Sequence, residues 1–374
     1  MKIAVVTPRY AVAGVPLAQI RFARAWAAAG HEVELLVGAV SPGFTMPDLP
    51  DLKVTLLGRK RVMAMVGPLV RYLRRERPDV VFTAEDHLTA ITLLAAGLAR
   101  SKAKVSGSSR VSPFDTYGGP ALGKGWVLKR LMRRLMHRAA VLTCVSKDMV
   151  LQYRQVFPAA PHRWAYNIVG DAQSVARMDE PLDDPWLRGG EVPVVVAAGT
   201  LVPWKGFDDL LEAMALVVRR RAARLLILGD GPLRQDLQAK VDRLALGGHV
   251  RLVGSVANPL RYFRRSQVFA LSSHLEGMPN VLVEAMMCGC TPVAVDCPTG
   301  PRELLADGKA GYLVPMRDAN ALAEGILRGL DHPIGREALQ QAVQPFTPEA
   351  VLARHLDLLG LQPEVVQAVA RGPA

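Results

Sequence analysis

The sequence predicts an α/β protein built from two doubly wound parallel-sheet domains facing a cleft. Three observations carry that expectation. The chain has 374 residues, of which 50% are hydrophobic and 21% charged, a folded composition in a chain too long for one small core. Short β-branched runs alternate with helical patterns, and the runs are apolar nearly throughout, as in parallel sheets covered on both faces. The rhythm stops in an Asp-, Pro- and Gly-rich stretch between Gly170 and Glu191 and restarts at Pro193. The expected domains are 1–170 and 193–345, joined by a linker at 171–192. A helical segment at 346–374 is expected to return toward the first domain.

In the first domain Ile3–Val6, Val33–Val37, Val54–Leu57, Val80–Thr83, Val105–Gly107 and Val141–Cys144 read as strands. Leu17–Ala29, Val62–Arg75 and His87–Leu98 read as helices between them. In the second, the strands are Val194–Ala198, Leu225–Leu228, Val250–Val253, Val268–Leu271, Thr291–Val295 and Tyr312–Val314, with helices at Phe207–Arg219, Leu233–Ala245 and Asn280–Met287. Open α/β sheets bind ligands beyond the carboxyl ends of their strands, so two such ends are expected to meet at the cleft.

Composition narrows the function. The N-terminal apolar run turns polar at Thr7 and is too short for a secretion signal. No segment offers the roughly 18 uninterrupted apolar residues of a membrane span; Leu88–Leu98 reads as a buried helix. Cys144, Cys288, Cys290 and Cys297 lack a Cys-x-x-Cys pair and read as reduced, buried thiols. Cys288 and Cys290 flank Gly289 at an expected helix end, where packing is the default. No histidines pair at ligand spacing and no Asp-x-Asp motif stands out, so no metal site is expected. These features together predict a cytoplasmic protein. Net charge is +12, with 25 Lys/Arg against 10 Asp/Glu in residues 1–170 and 21 against 24 thereafter. That asymmetry predicts a negatively charged partner for the first half.

Two stretches carry candidate chemistry. Gly199-Thr200-Leu201-Val202-Pro203-Trp204-Lys205-Gly206 follows a strand and precedes a helix. Gly199 permits a tight turn, while Lys205 and the helix amides offer positive charge to a phosphate. An ordinary loop with a solvated lysine fits the same spacing, and on spacing alone it is the commoner reading. The stretch Glu276-Gly277-Met278-Pro279-Asn280-Val281-Leu282-Val283-Glu284-Ala285-Met286 says more. Asn280 reads as an N-cap, and Val281, Leu282, Ala285 and Met286 form an apolar helical face. Glu284 lies among them, where an unpaired carboxylate is costly and a ligand hydroxyl would satisfy it; a glutamate on the solvated face is the alternative.

These pieces resemble the retaining GT-B glycosyltransferases of family 4 over nearly the whole chain. Glu276-x7-Glu284 followed by Gly289-Cys290-Thr291-Pro292-Val293 is similar to that family's donor motif, and Gly199–Ala213 to its phosphate loop. Leu228-Gly229-Asp230-Gly231-Pro232, Val250-Arg251-Leu252-Val253-Gly254, Ala29-Gly30-His31-Glu32-Val33 and Tyr166-Asn167-Ile168-Val169 match further landmarks in the family's order. The resemblance implies two Rossmann-like domains, the first binding the acceptor and the second a nucleotide-sugar. That nucleotide-sugar, expected to be a UDP-sugar, is a substrate, and no cofactor is implied. Glu276 and Lys205 are the catalytic pair it implies: Lys205 neutralises the diphosphate and Glu276 contacts the donor sugar. Glu284 would hold the ribose, and amides from Met278 to Val281 the phosphates or sugar. Gly14, Thr200, Gly277, Met278, Pro279, Asn280 and Val281 complete the donor set. Arg110 and Asp115 fall in the acceptor or sugar region. Cys297-Pro298-Thr299-Gly300-Pro301-Arg302-Glu303 resembles an ending found in members that build bacterial surface glycans, with Arg302 in a salt bridge or near the donor.

Three departures stand out. Thr200 replaces the family's usual Arg, so one diphosphate cation is missing or comes from elsewhere. The N-terminal loop reads Ala13-Gly14-Val15-Pro16 in place of a Gly pair. Ser108-Ser109-Arg110-Val111-Ser112-Pro113 lacks the His often found near the sugar. Breaking a sugar–diphosphate bond builds negative charge on phosphate, which preorganised cations and amides stabilise. No protein nucleophile is needed when the acceptor attacks from the face the diphosphate leaves, and metal-independent hexosyl transfer is the implied chemistry.

The run Lys124–Arg138 alternates by helical turns. Leu128, Leu131, Met132 and Leu135 share one stripe and Lys129, Arg130, Arg133, Arg134 and His137 another. A packed helix with a solvated basic face explains the pattern; contact with anionic lipid at the inner face of the cytoplasmic membrane adds to it. Arg59-Lys60-Arg61 and Arg71, Arg74, Arg75 and Arg77 extend the positive surface. A glycan or lipid-linked acceptor in polysaccharide or lipopolysaccharide biosynthesis is the partner this suggests. Rival readings are a GT-B nucleotide-sugar epimerase, a catalytically dead scaffold, and a basic nucleic-acid- or membrane-binding protein. Against nucleic acid as a partner, the basic half carries no recognisable motif and few interleaved aromatics.

Overall fold

The computed structural model describes residues 1–11, 14–120, 122–159, 161–188 and 190–361. The chain divides into two compact units, Met1–Ile168 together with the chain from Pro348 onward, and Val169–Thr347.

The first unit holds a seven-stranded parallel sheet ordered β3-β2-β1-β4-β5-β6-β7. Its strands are β1 (Lys2–Tyr10), β2 (Glu32–Val40), β3 (Lys53–Leu56), β4 (Val80–Ala84), β5 (Lys104–Ser109), β6 (Val141–Cys144) and β7 (His162–Trp164). Helices α1 (Gly14–Ala28), α2 (Val66–Glu76), α3 (Asp86–Ala99), α4 (Pro113–Tyr117), α5 (Lys124–Leu135) and α6 (Lys147–Val156) cover it. β1 and β4 sit at the centre, where covering on both faces demands the unbroken apolar runs Ile3–Val6 and Val80–Phe82. β7 was not expected: three residues, His162-Arg163-Trp164, are too few and too polar to show a strand pattern. The helix expected over Val62–Arg75 begins instead as a 3-10 turn, Val62–Met65, and becomes α-helical at Val66. Pro68, lacking an N–H, is tolerated in the first helical turn, which places the start there. In α5 the apolar stripe turns inward, with Met132 and Leu135 buried and Leu131 packed on the same cluster, while Lys124, Arg130, Arg133, Arg134 and nearby His137 are exposed.

The second unit repeats the plan with six parallel strands ordered β10-β9-β8-β11-β12-β13. These are β8 (Val194–Ala198), β9 (Arg224–Leu228), β10 (Val250–Gly254), β11 (Val268–Leu271), β12 (Thr291–Val295) and β13 (Tyr312–Val314). Its helices are α7 (Ala172–Met178), α8 (Phe207–Arg220), α9 (Arg234–Arg243), α10 (Leu260–Phe263), α11 (Asn280–Met287), α12 (Pro301–Leu304), α13 (Ala319–Asp331) and α14 (Arg336–Val343). Val195, Ile227, Leu211, Met214 and Ile326 are central to its core. The stretch expected as a linker is fastened to this unit. Asp171 caps α7 by accepting from Ser174 N at 2.7 Å, Asn258 Nδ2 donates to Glu180 Oε2 at 2.7 Å, and buried Asp184 pairs with Arg251. Its aspartates serve a cap and ion pairs.

Helix α15 (Pro348–Leu359) belongs to the first unit, where Leu352, Leu356 and Leu359 join Ile3, Val5 and Trp26 in one cluster. Lys104 Nζ donates to Leu359 O at 2.6 Å and fixes the helix end. Residues 362–374 of the expected C-terminal segment lie outside the described residues. Trp26 stacks on Phe82 with centroids 5.5 Å apart, and His355 lies edge-on to Phe22 at 4.9 Å and Phe82 at 5.4 Å. Such pairs add about 0.5–1.5 kcal/mol beyond burial.

Burial, aided by Arg110 and Arg354, pulls His355 down to about 3; burial, aided by Arg154, pulls His162 down to about 4. Above pH 6.5 folded and unfolded chains both hold these rings neutral. Below it only the unfolded chain takes up the protons, so stability falls as pH drops toward 4. The expected loss between pH 7 and pH 4.5 is about 2 to 3 kcal/mol per histidine. Denaturant titrations at the two pH values check this, and His162→Phe is expected to remove its share of the pH dependence.

Candidate functional site

In the second unit the chain order reverses between β8 and β11, the position where open sheets bind ligands. The loop after β8 reaches this point by close backbone contacts. Gly199 N extends the ladder to Leu228 O at 2.9 Å, and Leu201, fully buried, exchanges bonds of 3.0 Å with Asp230 O and Leu233 N. Gly229 has φ +135°, and a Cβ there would lie 2.0 Å from Gly199 O. Leu201 thus anchors the loop, leaving Thr200 exposed beside it.

Pro203–Lys205 form one 3-10 turn, closed by Gly206 at φ +64°. A Cβ on Gly206 would stand 2.0 Å from Ser272 O, so only glycine lets the two loops meet. Ser272 Oγ donates to Lys205 O at 2.9 Å, His274 N donates to Trp204 O at 2.8 Å, and the His274 ring lies 2.7 Å from Asp209 Oδ2. This lacing sets Lys205 Nζ 2.6 Å from Glu276 Oε1, with the side chains 20% and 10% exposed. The contact joins residues 71 positions apart in the sequence.

Glu276 is held in turn by the loop after β12: Thr299 Oγ1 donates to Glu276 O, and Gly300, at φ +96°, leaves no room for a Cβ against Pro279. The N-cap of α11 is Pro279, not Asn280 as expected from sequence. Proline fixes φ and already makes the non-helical turn, which moves Asn280 to the first helical position. The positive end of the α11 dipole therefore lies at Asn280 and Val281. Met278 and Pro279 are buried, while Gly277, Asn280, Val281 and Glu284 are half-buried. Burial, with the Glu284 charge second, pushes the Cys288 thiol up to about 12. All four cysteines are buried and unbonded to one another. Arg302 pairs with Asp296 and lies 3.6 Å from Asp307.

Gly14, Arg110 and Asp115 belong to the first unit. Gly14 opens α1; its loop neighbour Ala13 lies outside the described residues. Arg110 turns inward, donating to Asn167 Oδ1 at 2.5 Å and Gln19 Oε1 at 3.2 Å. Burial draws its guanidinium down to about 10, against the opposing pull of Glu85. Asp115 is exposed on the short helix α4.

Sequence reasoning missed what stands at this sheet's own reversal, between β1 and β4. A pocket of about 420 Å³ there is walled by Thr7, Arg9, Lys60, Arg61, Glu85 and His87. Glu85 sits at φ +73°, ψ 136°, a backbone state that costs a side-chain-bearing residue on the order of 1–3 kcal/mol and gathers at functional sites. Its N–H donates to Ser108 O at 2.9 Å, and its carbonyl accepts from Thr89 N at 3.0 Å and Thr89 Oγ1 at 3.1 Å, which over-determines it. The Glu85 carboxylate lies 3.1 Å from His87 Nε2. Next to it, buried Asp86 accepts from Ser109 Oγ at 2.5 Å, Tyr153 OH at 2.7 Å and Tyr117 OH, fixing the start of α3. In sequence, Ala84-Glu85-Asp86-His87 shows only a polar helix start. Arg234, after the Gly-Asp-Gly-Pro loop, was also passed over: its Nη2 donates to Leu252 O at 3.1 Å, and its Nη1 is buried with no partner among the described residues.

Among known proteins, the family described as glycosyl transferases group 1 matches residues 192–332, and the glycosyl transferase 4-like domain matches residues 14–168. A Campylobacter jejuni N-acetylgalactosamine-N,N'-diacetylbacillosaminyl-diphospho-undecaprenol 4-alpha-N-acetylgalactosaminyltransferase is 30% identical over 214 residues, 57% of this chain. The match spans only 56% of that protein's length. The amylovoran biosynthesis glycosyltransferase AmsD of Erwinia amylovora is 28% identical over 319 residues, 83% of this chain and 86% of that protein. The crystal structure of Anabaena HepE in complex with UDP is similar in fold, with TM-score 0.78 and 19% identity over 96% of this chain and 100% of that one. Two family matches in tandem over two doubly wound units place the chain in the GT-B glycosyltransferases of the group 1, family 4 type.

Proposed function

We propose that the protein is a retaining, metal-independent hexosyltransferase that moves a sugar from a UDP-sugar to a glycan or lipid-linked acceptor in cell-surface polysaccharide or lipopolysaccharide biosynthesis. The second unit takes the donor and the first the acceptor. The observation that carries this reading is the contact of Lys205 with Glu276 at the β8–β11 reversal, beside the start of α11. UDP in the Anabaena structure supports the nucleotide, and the printed activities of the Campylobacter and Erwinia relatives support a surface-glycan acceptor.

In this reading the donor diphosphate lies against the Lys205 ammonium and the first turn of α11, which stabilise the charge that develops as the glycosidic bond breaks. The bonding electrons leave on the phosphate oxygen, and the acceptor hydroxyl forms the new bond on the same face, giving up its proton to the departing phosphate. Glu276 orients the sugar through its hydroxyls, Glu284 holds the ribose, and Gly277–Val281 supply amides. Thr200 brings no charge, so Lys205 is the principal cation of the site.

The same reading puts the protein in the cytoplasm, at the inner face of the cytoplasmic membrane. Among the described residues no helix is long and apolar enough to cross a membrane. Lys124, Arg130, Arg133 and Arg134 of α5 are exposed and Lys129 is half-buried, Arg130 covers the Trp126 ring at 4.4 Å, and Phe114, Leu122 and Val127 are half or more exposed close by in sequence. Cations interleaved with apolar side chains suit an anionic bilayer surface.

Three outcomes are expected. Glu276→Ala abolishes transfer while its melting temperature stays near that of the wild type; near-normal turnover would sink the assignment. Lys205→Ala weakens UDP binding at least tenfold by calorimetry, as loss of a charge-assisted bond of about 1.5–3 kcal/mol requires. Vesicles rich in anionic lipid sediment the protein at low salt and release it at high salt, and Arg133→Ser with Arg134→Ser weakens that binding; failure to sediment at low salt removes the membrane from the proposal.

A further inference from the structure

We infer that the pocket beside Glu85 is a phosphate subsite, and that the acceptor is a hydroxylated molecule carrying a phosphoryl or diphosphoryl group. This rests on the reading of the protein as a sugar transferase and names the substrate class of its acceptor side. Arg9 from the end of β1 and Lys60 and Arg61 from the segment before α2 converge on one pocket of about 420 Å³. Arg9 Nη2 donates to Lys60 O at 3.1 Å, which ties the two basic segments together. Among the described residues none of the three has an ion-pair partner, although the acid Glu85 lines the same pocket. Glu85 is instead paired with His87 at 3.1 Å. Three cations against one carboxylate leave the pocket an excess of two positive charges, which matches a phosphate monoester or a diphosphate diester near neutral pH.

The remaining wall has a different chemistry. Glu85, fixed in its strained backbone state, presents a carboxylate, an acceptor of hydroxyl protons. A pocket with cations on one side and a carboxylate on the other suits a ligand with phosphate at one end and hydroxyls at the other. The α5 cations form no such pocket: they lie along an exposed helix face, a geometry for headgroups in a plane.

The test uses inorganic pyrophosphate as the probe, titrated by calorimetry into the full chain saturated with UDP so that the donor cation is occupied. The wild type is expected to bind it, and Lys60→Ser with Arg61→Ser, both exposed positions, to bind at least tenfold more weakly. Arg133→Ser with Arg134→Ser removes the same charge and is expected to leave the affinity unchanged. Lys205→Ala, titrated without UDP, gives the same measurement should UDP fail to bind, an outcome that counts against the donor assignment and not against this pocket. Equal affinity in all variants, or no binding by the UDP-loaded wild type and by Lys205→Ala, overturns the inference. Sedimentation with phosphatidylglycerol vesicles separates the two sources of phosphate. Retention of vesicle binding by the Lys60/Arg61 variant supports the inference; its loss, with pyrophosphate affinity intact, assigns these cations to the bilayer and overturns it.

Discussion

The candidate donor site depends on one steric constraint, the approach of the Gly206 backbone to the carbonyl of Ser272. A β-carbon at Gly206 would stand 2.0 Å from that oxygen, and one at Gly229 would stand as close to the carbonyl of Gly199. These two contacts fold the β8 loop down onto its neighbours, where Ser272 and His274 fasten it. Lys205 is carried to Glu276 as a consequence. An ion pair this enclosed gains from its short distance but loses hydration on both partners. Such an arrangement is better suited to exchange one anionic partner for another than to hold the unit together.

The two units solve the same problem with different chemistry. Each places its first strand near the centre of a parallel sheet, reverses chain order beside it, and leaves a crevice at the carboxyl ends. In the second unit, glycines make the crevice by letting backbones touch. In the first, a glutamate is held at positive φ by hydrogen bonds from Thr89 and to Ser108, and a buried carboxylate, Asp86, gathers three hydroxyls beneath it. Strain at Glu85 is sustained because the surrounding bonds leave it no alternative.

Charge follows the same division. Part of the excess of positive charge before residue 171 gathers on the exposed face of α5, and part on the Arg9, Lys60 and Arg61 wall of a pocket. Arg110, also in this half, goes to neither, because its guanidinium is spent on Asn167 and Gln19. A single number for net charge covers all three fates.

Sequence alone determined the sheets, because period and apolar content are local: Val194–Ala198, Leu225–Leu228 and Asn280–Met287 match the observed bounds within a residue. It also marked Glu276 and Glu284, whose spacing belongs to one loop and the helix after it, whereas Lys205, in a different loop, was marked only by the family resemblance. It placed the α5 stripe, since burial of Met132 and Leu135 follows the helical repeat. It did not show β7, whose three residues pair only through β6, or the cap of α11, where the Pro279 ring outweighs the capping preference of Asn280. Nor did it show that 171–192 is fastened by Asp171 and Asp184 to the second unit. Arg9, Lys60 and Glu85, or Lys205 and Glu276, come together only when distant strands and loops meet. Whether a polar residue is a solvated surface group or part of a site is set by what the fold places opposite it, and that is a property of tertiary packing.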